Sequence, residues 1–201
     1  MWGKIYKCGP KAVQLRVESR RDIARIIEHF SKYLLITQKL TDYELFNKTF
    51  NIIQKNEHLT RQGLEKIVAF KLSSNRSRIS QELESDFTNI IPVERYSVLD
   101  CQIPNSHWLA GFASGEGCFH VQIYKLNIIN LGQVVKLIFP IAQHSKDEQL
   151  IRCLIKYLKH VCGIITVRSN KPLCEFKTTK FTDLTDKIMP FFEKYSILGV
   201  K

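Results

Sequence analysis

The sequence of 201 residues lacks the features that mark secreted and membrane proteins. Its six cysteines show no paired CxxC spacing, and several lie in apolar runs, as Cys153 does. Buried reduced thiols are therefore expected, rather than a zinc site or a disulfide framework. No apolar stretch is long enough to span a bilayer, and the first five residues contain no signal-peptide apolar run. A secreted or membrane-bound protein is thus not expected.

Acidic residues are scarce relative to basic ones. The sequence has 30 lysines and arginines against 19 aspartates and glutamates, which gives a formal net charge of +11. The basic residues are spread along the whole chain rather than gathered in a tail. Such a balance favours a polyanionic partner, usually a nucleic acid. A basic protein with no such partner is the alternative that composition leaves open.

Hydrophobic periodicity divides the chain into short strands and helices. Alternation predicts strands near residues 4–6, 13–18, 118–124, 133–143, 163–169 and 173–179. Helical spacing predicts helices over about 22–33, 41–56, 60–72, 80–87, 145–159 and 182–194. Two of the helices are expected to begin at capping boxes, at Thr41 and at Ser145. In the strand at 133–143, the predicted apolar side consists of Val135, Leu137, Phe139 and Ile141.

The chain also contains an internal repeat. Residues 13–39 match residues 174–201 with one residue inserted, so that strand aligns with strand and helix with helix. The N-terminal copy begins in mid-unit and lacks a counterpart of residues 108–145. From residue 107 onward the predicted order is α-β-β-α-β-β-α. We expect three segments: the C-terminal part of a first repeat at 1–72, a linker at 73–106, and a second repeat at 107–201 that is truncated at its C-terminus.

The most informative stretch is residues 108–119, which reads as a short helix that runs directly into a strand. Small residues fill much of this helix, although glycine costs about 1 kcal/mol per helical position relative to alanine. Gly111 and Gly115 lie one turn apart and would let another backbone approach closely. Glu116 lies at the negative end of the helix, where an anion is disfavoured unless a cation compensates it. A divalent metal would supply that compensation; a solvated glutamate at a helix end is the alternative.

Residues 109–117, Leu-Ala-Gly-Phe-Ala-Ser-Gly-Glu-Gly, resemble the nine-residue signature of the LAGLIDADG homing endonucleases. Two further blocks, residues 33–39 and 57–64, are similar to the single-chain, two-repeat members encoded in fungal mitochondrial introns. The similarity covers nearly the whole chain. It implies an α+β fold in which each α-β-β-α-β-β-α repeat contributes to an antiparallel DNA-binding saddle. In this chain one repeat is nearly complete and the other is partial.

The resemblance also implies a mechanism. In the family, two signature helices pack through their small residues and each delivers one acidic side chain to DNA lying in the saddle. Glu116 matches the catalytic, metal-binding acid, and the backbone carbonyl of Gly115 is expected to be a further metal ligand. The implied metal is Mg²⁺ or another divalent cation such as Mn²⁺, which can activate water and stabilise the leaving oxygen. Gly111 and Gly115 match the helix-packing positions.

Double-stranded DNA is the implied partner, and the polar faces of the strands are expected to contact it. In the second repeat these residues are Cys118, His120, Gln122, Tyr124, Lys136, Thr166, Arg168, Glu175, Lys177 and Thr179. In the first repeat they are Lys4, Tyr6, Gln14, Arg16 and Glu18. An ordinary solvated sheet face is the alternative that alternation alone leaves open.

The sequence departs from the family in holding one signature motif. The twin helix is expected before Met1, so cleavage would need a second polypeptide that supplies it. The predicted activity is site-specific, metal-dependent hydrolysis of phosphodiester bonds in double-stranded DNA, as in intron homing. The alternatives are an RNA-binding maturase, whose partner is intron RNA, and a catalytically inactive fragment that only binds nucleic acid. By resemblance the expected location is the mitochondrial matrix, and no membrane partner is expected.

Overall fold

The computed structural model describes residues 3–10, 12–74, 79–95, 102–126, 132–168 and 171–198. These form two compact units, one within Met1–Leu35 and Lys39–Ser97 and the other within Ile36–Gln38 and Val98–Lys201. No helix among the described residues has both the length and the apolar character that a membrane span requires.

The first unit begins with a two-stranded antiparallel hairpin. Its strands are β1 (Lys4–Lys7) and β2 (Val13–Arg16), and the Cys8 N–H donates to the Ala12 carbonyl at 2.8 Å across the turn. The strands predicted near residues 4–6 and 13–18 are therefore present and pair with each other, although β2 ends at Arg16. The helices that follow are α1 (Arg20–Lys32), α2 (Lys39–Gln54), a 3₁₀ turn (Glu57–Leu59), α3 (Arg61–Ser73) and α4 (Gln81–Asp86).

The helix start predicted at Thr41 is wrong. Helix α2 begins at Lys39, so Thr41 lies inside its first turn, where the side chain is buried rather than capping. The helix start at Thr60 is confirmed, since its hydroxyl accepts a hydrogen bond from the Gly63 N–H at 3.1 Å. A capping box is a local signal, and burial of the threonine overrides it here.

The part of the first unit that follows α3 packs against α2 and α3. The Arg95 guanidinium donates to the Ser73 carbonyl at 2.6 Å and to the Asp42 carboxylate at 3.2 Å. The Arg61 guanidinium lies 4.3 Å from the centre of the Phe87 ring, at the end of α4. The short helix predicted at 80–87 is thus present as α4, and it is held by cationic contacts as well as by burial of Phe87.

The second unit has the predicted α-β-β-α-β-β-α order. Its four strands form an antiparallel sheet in the order β3-β4-β6-β5. The elements are α5 (Ser106–Glu116), β3 (His120–Lys125), β4 (Gln133–His144), a 3₁₀ turn (Ser145–Asp147), α6 (Glu148–Tyr157), β5 (Ile164–Arg168) and β6 (Leu173–Thr178). A last helix begins as α7 (Phe181–Asp183), passes through a π-helical turn (Leu184–Ile188) and ends as α8 (Met189–Lys194).

One hydrophobic core joins the sheet of the second unit to its helices. Phe139 and Ile141 of β4 and Phe176 of β6 are buried with Leu109 of α5 and Leu154 of α6. The predicted apolar side of β4 is buried only in its second half. Val135 and Leu137, in the first half, are exposed. The first half of this long strand pairs with β3 alone, while the second half pairs with β6.

The helix start predicted at Ser145 is wrong in detail. Ser145 lies in the 3₁₀ turn, and the side chain that caps it belongs to His144, whose Nδ1 accepts from the Lys146 N–H at 3.1 Å. His144, a strand-end residue in the sequence interpretation, is confirmed as the last residue of β4. Asp147, the last residue of the turn, is buried, and its carboxylate accepts a hydrogen bond from the Gln38 N–H at 3.0 Å.

The cysteines are less buried than predicted. Among the described residues they are free thiols, and Cys174 is buried in the core. Its burial raises the pKa of the thiol. Cys8, Cys118 and Cys162 are exposed, so the prediction of burial is wrong for them. Each lies at or beyond the end of a strand, where apolar neighbours in the sequence do not imply a core position.

We expect replacement of Gly117 with alanine to destabilise the second unit by about 1–3 kcal/mol, the usual cost of overpacking. A Cβ at this position would lie 2.8 Å from the carbonyl oxygen of Ala113, which also accepts the Gly117 N–H. Urea unfolding measures the change. Gly111→Ala is the matched control for added bulk, because a Cβ there has no atom within 4 Å and the position has an ordinary helical backbone. Equal stability of Gly117→Ala and the parent protein would contradict the close packing.

A second prediction concerns Asp183, which is buried beside the π-helical turn. Its carboxylate accepts from Lys187 Nζ at 2.7 Å and from the Cys162 N–H at 2.7 Å. The hydrogen bond from Lys187 is the main cause that lowers the pKa of Asp183, against the opposing effect of burial. The stabilisation is therefore present above the ordinary carboxyl pKa of about 4 and is lost as the pH falls through the lower folded-state value.

Asp183→Asn should lower the free energy of unfolding at pH 7 by about 1–2 kcal/mol, since hydrogen bonds to charged groups contribute on that order. The difference from the parent protein should shrink below about pH 4, where the parent also loses the charge. Urea unfolding across pH 3–7 tests both statements. The exposed Asp86 provides the control substitution Asp86→Asn. A difference that stays constant over this pH range would contradict a charged role for Asp183.

Candidate active site and nucleic-acid interface

Helix α5 has one buried face and one open face. Its N-cap is Asn105, whose side-chain oxygen accepts from the Trp108 N–H at 2.9 Å. Leu109 and Ala113 pack in the core, whereas Gly111 and Gly115 are exposed. A Cβ built on either glycine meets no atom within 4 Å among the described residues. The two glycines are thus not needed for packing inside the part of the chain that the structure describes, whereas Ala110 and Ala113 are buried.

Glu116 is the last residue of α5 and is exposed. The last turn of the helix contains no basic residue, so no side chain there offsets the charge of Glu116 at the negative helix end. The next residue, Gly117, forms an antiparallel bridge with Ile141 in β4, an inner strand of the sheet. The Cys118 N–H then donates to the Pro140 carbonyl at 3.1 Å. These bonds fix the backbone that follows Glu116 beside the inner strand β4.

The residues around Glu116 fit a hard divalent cation only in part. Within the described ranges, no three His, Cys, Asp or Glu side chains lie close enough together to hold a metal ion. Glu116 offers a carboxylate, and Gly115 offers a backbone carbonyl. Mg²⁺ commonly keeps several waters and binds through one or two carboxylates together with substrate phosphates. The oxygen chemistry therefore fits an ion that is shared with ligands supplied by a substrate or a partner.

Most polar residues predicted to contact DNA in the second unit share one sheet face. The register pairs Gln122 with Lys136 and Thr166 with Glu175. His120 and Tyr124 lie on the same face as Gln122, and Lys177 on the same face as Glu175, because each is two residues along its strand. None of these side chains is buried. The face opposite to the hydrophobic core thus carries polar side chains from all four strands, among apolar residues such as the buried Ile138 of β4.

Three members of the predicted set are less well defined. Cys118 precedes β3 and Thr179 follows β6, so both lie outside the strands, although Cys118 is exposed. Arg168 is the last residue of β5, opposite Leu173 in β6, and its side chain is outside the described part. The register adds His144 to this face, since it also lies opposite Leu173. Its even spacing from Lys136 was the signal that sequence reasoning missed.

The first unit presents a second polar face on its hairpin. Lys4 pairs with Arg16 and Tyr6 pairs with Gln14, so four of the five predicted residues share one side of β1 and β2. The Arg16 guanidinium lies 5.1 Å from the Tyr6 ring centre and 3.5 Å from the Gln14 side-chain oxygen. Glu18, the fifth residue, lies beyond β2 and forms an exposed ion pair with Arg16 at 3.7 Å. The opposite side carries exposed apolar residues, among them Ile5 and Leu15.

The sequence matches a known family and its curated members. The family model described as LAGLIDADG endonuclease matches residues 2–50 and 109–201. Probable intron-encoded endonuclease 2 of Neurospora crassa is 36% identical over 211 residues, which cover 99% of this chain and 44% of the relative. Probable intron-encoded endonuclease 3 of the same organism is 35% identical over 191 residues, which cover 94% of this chain and 35% of the relative. The chain therefore spans less than half the length of these two curated relatives.

Solved structures agree with the fold. I-SmaMI bound to an uncleaved DNA target in the presence of calcium ions matches with a TM-score of 0.93 and 40% identity, over 99% of this chain and 67% of that one. I-SmaMI bound to cleaved DNA matches with a TM-score of 0.93 and 41% identity, over 98% of this chain and 65% of that one. The predicted α+β homing-endonuclease fold is thus confirmed. Because the family model covers most of the sequence and a solved member shares its fold, the chain belongs to the LAGLIDADG endonuclease family.

Proposed function

We propose that this protein is a site-specific, divalent-metal-dependent endonuclease that hydrolyses phosphodiester bonds in double-stranded DNA. The observation that carries the proposal is the place of Glu116. Its exposed carboxylate lies at the negative end of α5, with no basic residue in that turn, and the next residue is bridged to the inner strand of a sheet that carries polar side chains from all four strands on one face. Family membership supports the proposal, as does the DNA bound in the I-SmaMI structures.

Glu116 and the carbonyl of Gly115 would hold the metal, for which we propose Mg²⁺ or, in its place, Mn²⁺. The ion, when bound, supplies Lewis-acid stabilisation of phosphate oxygens and a more acidic water. The chain itself supplies position. The bridge between Gly117 and Ile141 fixes the C-terminal end of α5 on β4, so the backbone position of Glu116 relative to the sheet is fixed as well. Calcium in one I-SmaMI structure supports a divalent ion without identifying it for this chain.

The polar sheet faces would bind the DNA. Lysines and arginines such as Lys136, Lys177 and Arg16 are suited to phosphate oxygens, and these contacts orient the duplex without reading its sequence. Gln122 and Gln14 can form paired hydrogen bonds with adenine edges in the major groove. The net charge of +11 supports the same partner, because neutralised phosphates release counterions.

We further propose that residues 1–72 and 107–201 belong to successive repeats joined by a linker at 73–106, and that a second signature helix packs on Gly111 and Gly115. The open space beside both glycines supports this contact. A segment outside residues 1–201, of the same polypeptide or of a second one, is the proposed source of that helix. Resemblance to members encoded in fungal mitochondrial introns supports a location in the mitochondrial matrix.

Glu116→Gln should reduce nicking or cleavage of DNA by at least about 100-fold, because even outer partners of a metal ligand change activity 10–100-fold. The substrate is a plasmid that carries the joined exon sequences flanking the encoding intron, assayed with Mg²⁺, with Mn²⁺ and with EDTA. Binding of the same DNA should change little, since the sheet faces are untouched.

The control is Glu193→Gln, which removes an exposed carboxylate from α8, far along the chain from the candidate site. It should cleave as the parent protein does. Unchanged cleavage by Glu116→Gln, or cleavage that persists in EDTA, would overturn the proposed mechanism.

Gly111→Ala tests the proposed helix contact. In the isolated chain it should leave stability unchanged or raise it by about 0.5–1 kcal/mol, because alanine is the better helix former and has free space here. Cleavage by the assembled enzyme should nevertheless fall, since the added methyl group separates the two helices. Urea unfolding measures the stability and the plasmid assay measures cleavage. The control is Asn51→Ala, at an exposed position of α2. Full stability together with full cleavage would show that no helix packs there.

A further inference from the structure

A cavity of about 380 Å³ lies at the end of α5 that is farthest from Glu116. Ser106, the first residue of α5, lines it together with Tyr157 at the end of α6. Lys194 and Tyr195, at the end of α8, close another side. The volume is in the range of sites that hold small organic ligands. The cavity is large enough for one nucleotide and is separate from the polar sheet face.

The charge of the lining favours a monoanion. Three lysines contribute, and one of them, Lys187, is paired with Asp183 at 2.7 Å. Lys159 and Lys194 form no ion pair with the described residues. Asp186 also lines the cavity and offsets one of these two charges. One net positive charge remains, which matches the single negative charge of a phosphodiester.

Aromatic rings and hydroxyl groups supply the rest of the lining. Tyr195 packs edge-on against His107, with ring centres 5.2 Å apart, and tilted against Phe191 at 5.1 Å. Lys194 Nζ lies 5.5 Å from the Tyr195 ring centre, so a cation and a ring lie side by side. The hydroxyls of Ser106 and Tyr157 are 2.9 Å apart. A ring next to a lysine can hold a base and its phosphate together, and the hydroxyl pair can bond to the sugar or the base edge.

We propose that this cavity binds one nucleotide of a single-stranded nucleic acid. Its phosphodiester lies against Lys159 and Lys194, and its base packs on Tyr195. A single strand is required because the bases of a duplex are stacked on each other and cannot offer a face to the ring. Ser106 and Glu116 are ten residues apart on α5, about 15 Å along the helix axis. A strand in the cavity therefore leaves the Glu116 site free, and the proposal does not depend on catalysis there.

The test measures fluorescence anisotropy of a labelled 12-nucleotide strand, in RNA and in DNA form, with excess unlabelled duplex to occupy the sheet faces. Tyr195→Ala should weaken binding at least about fivefold, in line with about 1–3 kcal/mol per stacked base. Lys159→Ala with Lys194→Ala should weaken it similarly and reduce the salt dependence, lowering the slope of log K against log salt by about 0.7 for one lost phosphate contact. Tighter binding of RNA than of DNA, or equal binding of both, supports the proposal.

The matched control is Lys146→Ala with Lys156→Ala, which removes two lysines of the same unit that do not line the cavity. It should leave affinity and salt slope unchanged. Circular dichroism confirms that each variant is folded, and Tyr195→Phe keeps the ring if alanine disrupts α8. Equal losses in the cavity and control variants would overturn the proposal. Binding of inorganic phosphate without binding of either strand would also overturn it.

Discussion

The close approach of the Gly117 backbone to the Ala113 carbonyl is the constraint on which the second unit depends. A helix must end and a strand must begin within three residues, and both must stay attached to the same sheet. Gly117 meets these demands because it lacks a Cβ, donates its N–H to Ala113 and bridges to Ile141. The end of α5 is therefore set by backbone geometry. Glu116, one residue earlier, inherits a fixed position from that geometry rather than from contacts of its own.

The two faces of α5 follow from the same constraint. Once its end is fixed on β4, the helix can bury only the side that carries Leu109 and Ala113. The side that carries Gly111 and Gly115 is left outside the core, and a Cβ at either position would touch none of the described residues. Composition alone could reveal this face, because the glycines lower helix stability without a compensating contact. Glycines that lower the stability of a helix without a contact inside the chain are evidence that another helix packs against them.

Sequence reasoning recovered the element order and the polar sheet face because both depend on periodicity. Alternation places His120, Gln122 and Tyr124 on one side of β3 whatever the strand packs against. It failed where a local pattern competed with the tertiary environment. Ser145 has the sequence of a helix cap, yet His144 performs that role, since β4 continues up to the turn. Thr41 was likewise mistaken for a cap because its burial is not visible in the sequence.

Exposure of the apolar side of the β3–β4 hairpin illustrates a different limit. Val121 and Leu137 alternate as core residues do, but the helices reach only the part of β4 that pairs with β6. Periodicity reports which side of a strand a residue occupies; it does not report how far the covering layer extends. The cavity beside Ser106 could not be predicted for a related reason. Tyr157 and Lys159 lie at the end of α6 and Lys194 at the end of α8, and only the fold brings these two helix ends together.

The polarity of α5 then connects the two proposed sites. Its C-terminal end carries partial negative charge and the carboxylate of Glu116, so both sources of charge favour a cation there. Its N-terminal end carries partial positive charge, and the cavity next to it is lined by Lys159 and Lys194, which form no ion pair with the described residues. The same helix therefore favours a metal at one end and a phosphate at the other. Because the ends are about 15 Å apart, the two ligands neither compete for space nor screen each other strongly.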